Sequence, residues 1–375
     1  MEILSAANIV SLFLTLLYVV VVISFIIGWK KLRSYSPVKR QGRTPVSIIV
    51  AARDEEENIA KTIEDILAQT YDQGLTEVIF IDDHSTDRTA EIISRYPRVK
   101  LISLQEKSLN SYKKKAIETA IGGASGQLIL TTDADCRMGP EWLQTIVQYY
   151  EAHDYKMISS PVAYADEKNF FERAQSLEFL YLIGMGASTI GNHKPSTCNG
   201  ANLAYEREAF YEVGGFKGID DLASGDDELL LHKMAARYDQ KIGFLKNRNA
   251  IVYTQAKPTL TEFIQQRKRW ASKSTRYKNK GIIVLGILVW LFNLSIVCNF
   301  VAALFDPEFL SVALLQLLFK IILEFIFLWA VTRFARRREL MALSPILSIM
   351  HIVYILFIGI AGNSGKYKWK GRMVK

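Results

Sequence analysis

The sequence predicts an α/β fold on a mostly parallel sheet, joined to helices long and apolar enough to cross a bilayer. Three observations carry this. Between residues 45 and 160, short apolar runs alternate with segments of helical period, and repeated β-α units of this length imply a parallel sheet covered by helices. Outside that stretch lie apolar runs almost free of charge. Acidic residues recur where the predicted strands end, and in parallel sheets ligands bind beyond the carboxyl ends of the strands.

Residues 5–28 contain no charge, and about 24 helical residues at 1.5 Å each span roughly 36 Å, enough for a bilayer. The run is too long for a signal-peptide core and no small-x-small cleavage site precedes the charges, so residues 1–30 read as an uncleaved anchor. Only Glu2 is charged before it, whereas Lys30, Lys31, Arg33, Lys39, Arg40 and Arg43 follow. That asymmetry places the following residues in the cytoplasm.

Next come a buried strand VSIIVAA (46–52) and a helix from about Glu55 to Gln69, with Ile59, Ile63, Ile66 and Leu67 at helical spacing. A strand EVIFIDD (77–83) leads to the helix TAEIISRY, capped by Asp87. VKLISL (99–104) is the third strand, a helix carrying Lys113, Lys114 and Lys115 follows, and the fourth strand runs into Thr131-Thr132-Asp133-Ala134-Asp135. The unit extends over 45–275. Beyond it, 281–305 and 309–332 form an apolar hairpin turning at Asp306-Pro307-Glu308, with basic clusters at both of its cytoplasmic ends. A third run, 341–362, reads either as a span or, given Ser344, Pro345, Ser348 and His351, as a re-entrant segment. A full span would put the basic tail Lys366, Lys368, Lys370, Arg372 and Lys375 outside, against the charge rule. The C-terminal membrane region is thus 281–363.

The net charge of +8 comes largely from these flanks and fits attraction to anionic lipid; nucleic acid is a poor partner for a membrane-anchored chain. Cys136, Cys198 and Cys298 lack metal-ligand spacing, which fits a reduced compartment. No G-x-G-x-x-G follows the first strand and no Walker lysine is present, which argues against a dinucleotide dehydrogenase or a P-loop NTPase.

Asp133 and Asp135, two apart at a strand end, can turn toward one ion, and a hard cation such as Mg2+ or Mn2+ takes one or two carboxylates plus substrate phosphate oxygens. Asp226 and Asp227 precede the helical run ELLLHKMAARY, where an aspartate serves as an N-cap or as a base. Gln266, Arg269 and Trp270 share one helical face. Leu260, Phe263, Ile264 and Trp270 could rest on the membrane surface.

The ordered series IIVAARDEEENI, IDDHSTDRT, TTDADC, CNGANLAYERE, SGDDELL and QQRKRW resembles that of inverting family 2 glycosyltransferases with the GT-A fold, over roughly 45–275. The flanking membrane segments and the tail YKWKGR resemble membrane-embedded bacterial members, including relatives of ceramide glucosyltransferase and of the polysaccharide synthases. His84 departs from the family, which usually has a small residue or Gly there. The resemblance implies that Arg53, Glu55, Asp82 and Asp83 hold a nucleoside, with a carboxylate reading a uracil imide and hence a UDP-linked sugar. It implies that Asp133 and Asp135 bridge the diphosphate through Mg2+ or Mn2+, with Asp135 the direct ligand. Gly200 would lie beside the donor sugar, and Gln266, Arg269 and Trp270 would close over the donor. Lys114 or Lys115 could reach phosphate, with Lys115 the one expected at the donor. Asp227 would be the general base, with Asp226 behind it, and His193 is structural. Transfer to a lipid acceptor at the cytoplasmic face of a bacterial inner membrane is the leading expectation. A processive polysaccharide synthase and an inactive membrane scaffold are the alternatives, separated by organic-soluble product, insoluble polymer or no nucleotide release.

Overall fold

The computed structural model describes residues 6–38, 41–106, 109–362, 367–369 and 372–374; Glu2, Lys39, Arg40, Lys366, Lys370, Gly371 and Lys375 lie outside them. The chain opens with the apolar helix α1 (Ala6–Lys31). Ser11, Thr15, Tyr18, Val22 and Phe25 recur every three or four residues on its buried side, while Phe13, Leu16 and Val20 remain more than half exposed. A helix with polar groups inside and apolar groups outside suits a lipid surround.

The α/β unit then builds β1 (Val46–Ala52), α2 (Ile59–Leu67), β2 (Thr76–Asp82), α3 (Thr89–Ser94), β3 (Lys100–Ser103), α4 (Tyr112–Gly122) and β4 (Leu128–Asp133). β1 and β4 are buried almost throughout, as expected of parallel strands covered on both faces. α2 starts four residues later than its apolar period suggests. Asp54 adopts φ 49°, and the Glu55 carbonyl accepts from the Asn58 and Ile59 amides, so a turn occupies the first part of the segment. The N-cap position of α3 is Arg88, but the Asp87 carboxylate accepts from the Thr89 amide at 2.9 Å and does the capping work expected of it.

After β5 (Arg137–Met138) and α5 (Trp142–Ala152) come β6 (Met157–Ser159), β7 (Val162–Tyr164), α6 (Phe170–Gly191), β8 (Leu203–Glu206), α7 (Arg207–Glu212), α8 (Glu228–Arg237), β9 (Ile242–Phe244), β10 (Val252–Thr254) and α9 (Leu260–Ser272). The main sheet has the order β3-β2-β1-β4-β8-β6-β9, with β8 antiparallel to both its neighbours; β5, β10 and β7 form a small second sheet. β1 pairs in parallel with β2 and β4, setting Ala52 beside Asp82 and Ala51 beside Asp133. Three strand ends therefore open onto one edge.

α10 (Lys280–Ala302), α11 (Glu308–Ala335) and α12 (Ser344–Ala361) follow, then the hairpin β11 (Tyr367–Trp369) and β12 (Arg372–Val374). Among the described residues, four helical segments are long and apolar enough to cross a membrane: α1, α10, α11 and Arg338–Ala361, which contains α12. The last is unlike the others because both its ends meet the α/β unit. At its start Arg337 donates to the Tyr164 carbonyl at 3.1 Å and pairs with Glu167 at 2.9 Å. At its far end Gly362 packs directly on Ala271 of α9. α6, with Gly184 against Phe327 and Val331 and Gly191 against Gly28, ties the α/β unit to α11 and α1.

Candidate active site

The loops after β1 and β2 lock together. Arg53 donates to the Asp83 and His84 carbonyls at 2.7 and 3.0 Å, and Asp54 takes the Thr86 amide at 2.8 Å. His84 sits at φ 55°, a left-handed conformation that favours glycine. Its ring compensates by bonding the Asp83 carboxylate at 3.0 Å and meeting Tyr112 edge-on. Asp83, Glu55 and the Arg53 side chain line a cavity of about 1290 Å3. Asp82 does not. Its carboxylate turns back to the Ser85 amide at 3.3 Å and closes the loop, so this predicted donor contact is corrected to a turn residue.

The lysine on α4 also needs correction. Lys115 points away from the strand ends to Glu106 at 3.4 Å. Lys114 is buried and holds the Leu222 and Ser224 carbonyls at 2.6 Å each, and burial pushes its pKa down to about 8. Lys113 is the residue in the cavity, bridging Asp133 at 2.8 Å and Asp226 at 3.1 Å. It lies in the first turn of α4, the turn nearest the strand ends. Burial alone would lower its pKa; Asp133 and Asp226 reverse that and leave it raised.

Asp133 and Asp135 stand at the end of β4, with their oxygens and the Cys136 sulfur all within 4.8 Å of one another. Burial pushes the Cys136 thiol well up, so it stays protonated and a hard cation is left with the two carboxylates. Burial also works to raise Asp133, but Lys113, helped by Arg269, holds it below the usual carboxylate range. The donor set fits a divalent ion that completes its shell with diphosphate oxygens.

Opposite lies the loop 198–202. Gly200 lets the loop approach closely, since a Cβ would stand 3.2 Å from Asp226 Oδ2 and 3.3 Å from Asp227 Cβ. Asp227 is the N-cap of α8. Its Oδ1 accepts from the Glu228 amide at 2.6 Å and Lys273 at 3.3 Å, and its Oδ2 accepts from the Gly200 amide at 3.1 Å. Burial would raise its pKa, yet Lys273, the Glu228 amide and Lys113 bring it down to about 2. Asp226 also lines the cavity, 12% exposed, with Lys113 as its ion-pair partner.

On α9, Gln266, Arg269 and Trp270 all line the cavity, and Lys273 extends the same face by three residues. Arg267 is buried behind them, paired with Glu178 and lying 4.2 Å from the centre of the Trp270 ring. Lys113 and Lys273 are the site residues missed from sequence. The spacing Trp270–Lys273 held the signal for the second; for the first, three adjacent lysines gave none. Phe263 packs on Tyr354 of α12 rather than on lipid alone, while Leu260 is 59% exposed.

The cavity continues past these polar groups between the apolar helices. Phe25 of α1, Ile283 and Trp290 of α10, and Ile355 of α12 line that part.

Residues 47–214 match the glycosyl transferase family 2 model. A beta-monoglucosyldiacylglycerol synthase of Synechocystis sp. is 27% identical over 60% of this chain and 47% of its own length. A glucosyl-dolichyl phosphate glucuronosyltransferase of Haloferax volcanii is 30% identical over 46% of this chain and 55% of its own. The chain thus spans about half the length of these curated relatives. Among solved structures, a mannosyltransferase from Pyrobaculum calidifontis in complex with GDP-Man and Mn2+ superposes with a TM-score of 0.59 at 18% identity, covering 93% of this chain and 97% of that one.

Proposed function

We propose, from a chain whose residues 47–214 match the glycosyl transferase family 2 model, that the protein transfers a sugar from a nucleoside diphosphate donor to a hydroxyl of a membrane lipid, inverting the anomeric carbon. One observation carries the reading: a single cavity joins the acidic strand ends to the apolar interior between α1, α10 and α12. A nucleotide enters from the polar end and an alkyl chain from the other. A glycan channel would call for a polar lining along its length, and the membrane part is walled mostly by Val, Ile, Leu and aromatic side chains, with Glu324 and His351 among them.

In this reading Asp83 and Glu55 receive the base and ribose of a UDP-type donor, and Asp133 and Asp135 hold Mg2+ or Mn2+. When bound, that ion supplies positive charge to the departing diphosphate. Arg269, Lys113 and Lys273 add fixed positive charge around the same space, and Trp270 floors it. The acceptor oxygen forms its bond to the anomeric carbon as the bond to the diphosphate oxygen breaks, the leaving group keeping the electron pair. The hydroxyl proton goes to a carboxylate. Asp227 is the weaker candidate, since Lys273 and two backbone amides stabilise its charged form and hold it near pKa 2. Asp226 is the better base, lining the cavity beside Gly200. Asp226→Asn is expected to lower turnover by roughly 10²–10⁴-fold, the usual contribution of a general base, with nucleotide affinity nearly unchanged. Wild-type turnover in that variant on a verified acceptor would remove Asp226 from the role.

A further inference from the structure

Among the described residues, side-chain hydrogen bonds join polar groups of the membrane region into two clusters. Ser11, Ser295, Asn299 and Gln316 bond to one another and join α1, α10 and α11. That is adhesion between helices. The second group gathers on Glu324 of α11, which lines the cavity. Its Oε1 accepts from the Tyr18 hydroxyl at 2.6 Å and from Lys320 at 2.7 Å, and its Oε2 accepts from Ser348 at 2.6 Å. Adhesion also explains these bonds, because they tie α1, α11 and α12 and neutralise the Glu324 carboxylate.

His351 belongs to neither cluster. It lies nearly one turn beyond Ser348 on α12, lines the cavity and is 8% exposed. Its ring stacks on Tyr354 at 5.3 Å and meets Tyr181 edge-on at 6.3 Å, so its plane is held from two sides. Neither ring nitrogen has a hydrogen-bond partner among the described residues, and Nε2 is fully buried. A buried polar atom kept without a partner is costly, and ionisable residues at membrane depth mark functional sites.

We propose that His351 donates its ring N–H to a carbonyl in the linkage region of the acceptor, which makes the acceptor an ester- or amide-linked acyl lipid. The inference rests on the lipid-acceptor reading above. Charge selects the group. Lys320 is fully buried and spent on Glu324, so among the described residues this end of the cavity offers no unpaired cation for a phosphate. A carbonyl takes one N–H and brings no charge, while Phe25, Ile355 and Ile358 wall the space around the chains. An isoprenoid phosphate has no carbonyl to offer.

The test uses the full-length protein in detergent with a labelled nucleotide sugar. The probes are diacylglycerol, ceramide, dialkylglycerol and undecaprenyl phosphate. Dialkylglycerol keeps the hydroxyl and chains of diacylglycerol and lacks only the carbonyls. The expected result is transfer to an acyl lipid, with KM roughly fivefold to tenfold lower than for its carbonyl-free counterpart, the size of one hydrogen bond in a poorly hydrated site. His351→Leu should abolish that preference by raising KM for the acyl lipid only, and His351→Gln, which keeps an N–H, should restore part of it. Nucleotide affinity, measured on each variant, reports that the fold is intact. Equal use of ester and ether lipids by the wild type, transfer to undecaprenyl phosphate alone, or an equal loss on both lipids in His351→Leu would overturn the subsite while leaving lipid transfer standing. Transfer to none of the four lipids, with nucleotide still bound, would overturn the lipid reading and this subsite with it.

Discussion

Lys113 sits where three charges meet, and its neighbours on α4 do different work. Removing it leaves Asp133 and Asp226 without their shared cation. Lys113→Met is therefore expected to weaken donor binding by roughly 10–100-fold, the range for a hydrogen bond to a charged group, as read by titration with nucleotide diphosphate. Lys115→Met should leave stability within about 0.5 kcal/mol of wild type and donor affinity unchanged, since that side chain only meets Glu106 at the surface. Asp227 makes a separate prediction. Its folded pKa of about 2 lies below the ordinary 3.8, so its contribution is complete above about pH 4 and is lost as pH falls through 2. The difference in unfolding free energy between wild type and Asp227→Asn should shrink by on the order of 2 kcal/mol over that interval. A difference that stays constant from pH 5 to pH 2 would mean that Lys273 and the two amides do not hold the carboxylate down.

Among the elements, α9 and α12 decide how the α/β unit meets the membrane. α9 is pinned from behind by Arg267, paired with Glu178 and packed between Phe263 and Trp270. Breaking such a buried pair strands a charge, at about 3–5 kcal/mol. Glu178→Gln should lower the thermal midpoint markedly, whereas Glu91→Gln, which breaks an exposed pair with Arg95, should leave it nearly unchanged. α12 begins beside Tyr164 and Glu167 and ends on Ala271, so it leaves the chain on the side where the α/β unit stands. A tag fused after Lys375 is thus expected on the same side as a cysteine placed in the loops of 45–275. Both should resist an impermeant reagent in intact cells if the α/β unit is cytoplasmic. Labelling of the tag alone would mean that α12 crosses.

For the whole molecule, the continuous cavity predicts a product that partitions into organic solvent. Chelation with EDTA should abolish its formation and added Mg2+ or Mn2+ should restore it, because Asp133 and Asp135 face the cavity together. Full activity of Asp135→Ala in the presence of EDTA would refute the metal assignment, and insoluble polymer in place of extractable product would point to a processive synthase.

The sheet and the apolar helices could be read from order alone, because both depend on short-range patterns. VSIIVAA became β1 with the same ends, and the runs 281–305 and 309–332 became α10 and α11 within a few residues. Parallel pairing then brought Arg53, Asp83 and Asp133 to one edge, as repeated β-α units require. What order could not decide were choices between adjacent residues. Lys113 and Lys115, and Asp83 and Asp82, share composition and motif, and differ in where the fold directs each side chain: Lys113 and Asp83 line the cavity, while Lys115 meets Glu106 and Asp82 turns back to the Ser85 amide. One step along a helix turns that direction by about 100°. The membrane end of the cavity was beyond reach for another reason. Tyr18 and Glu324 are 306 positions apart, and His351 joins them only through the packing of α1, α11 and α12. No local pattern encodes that meeting; the folded chain alone makes it.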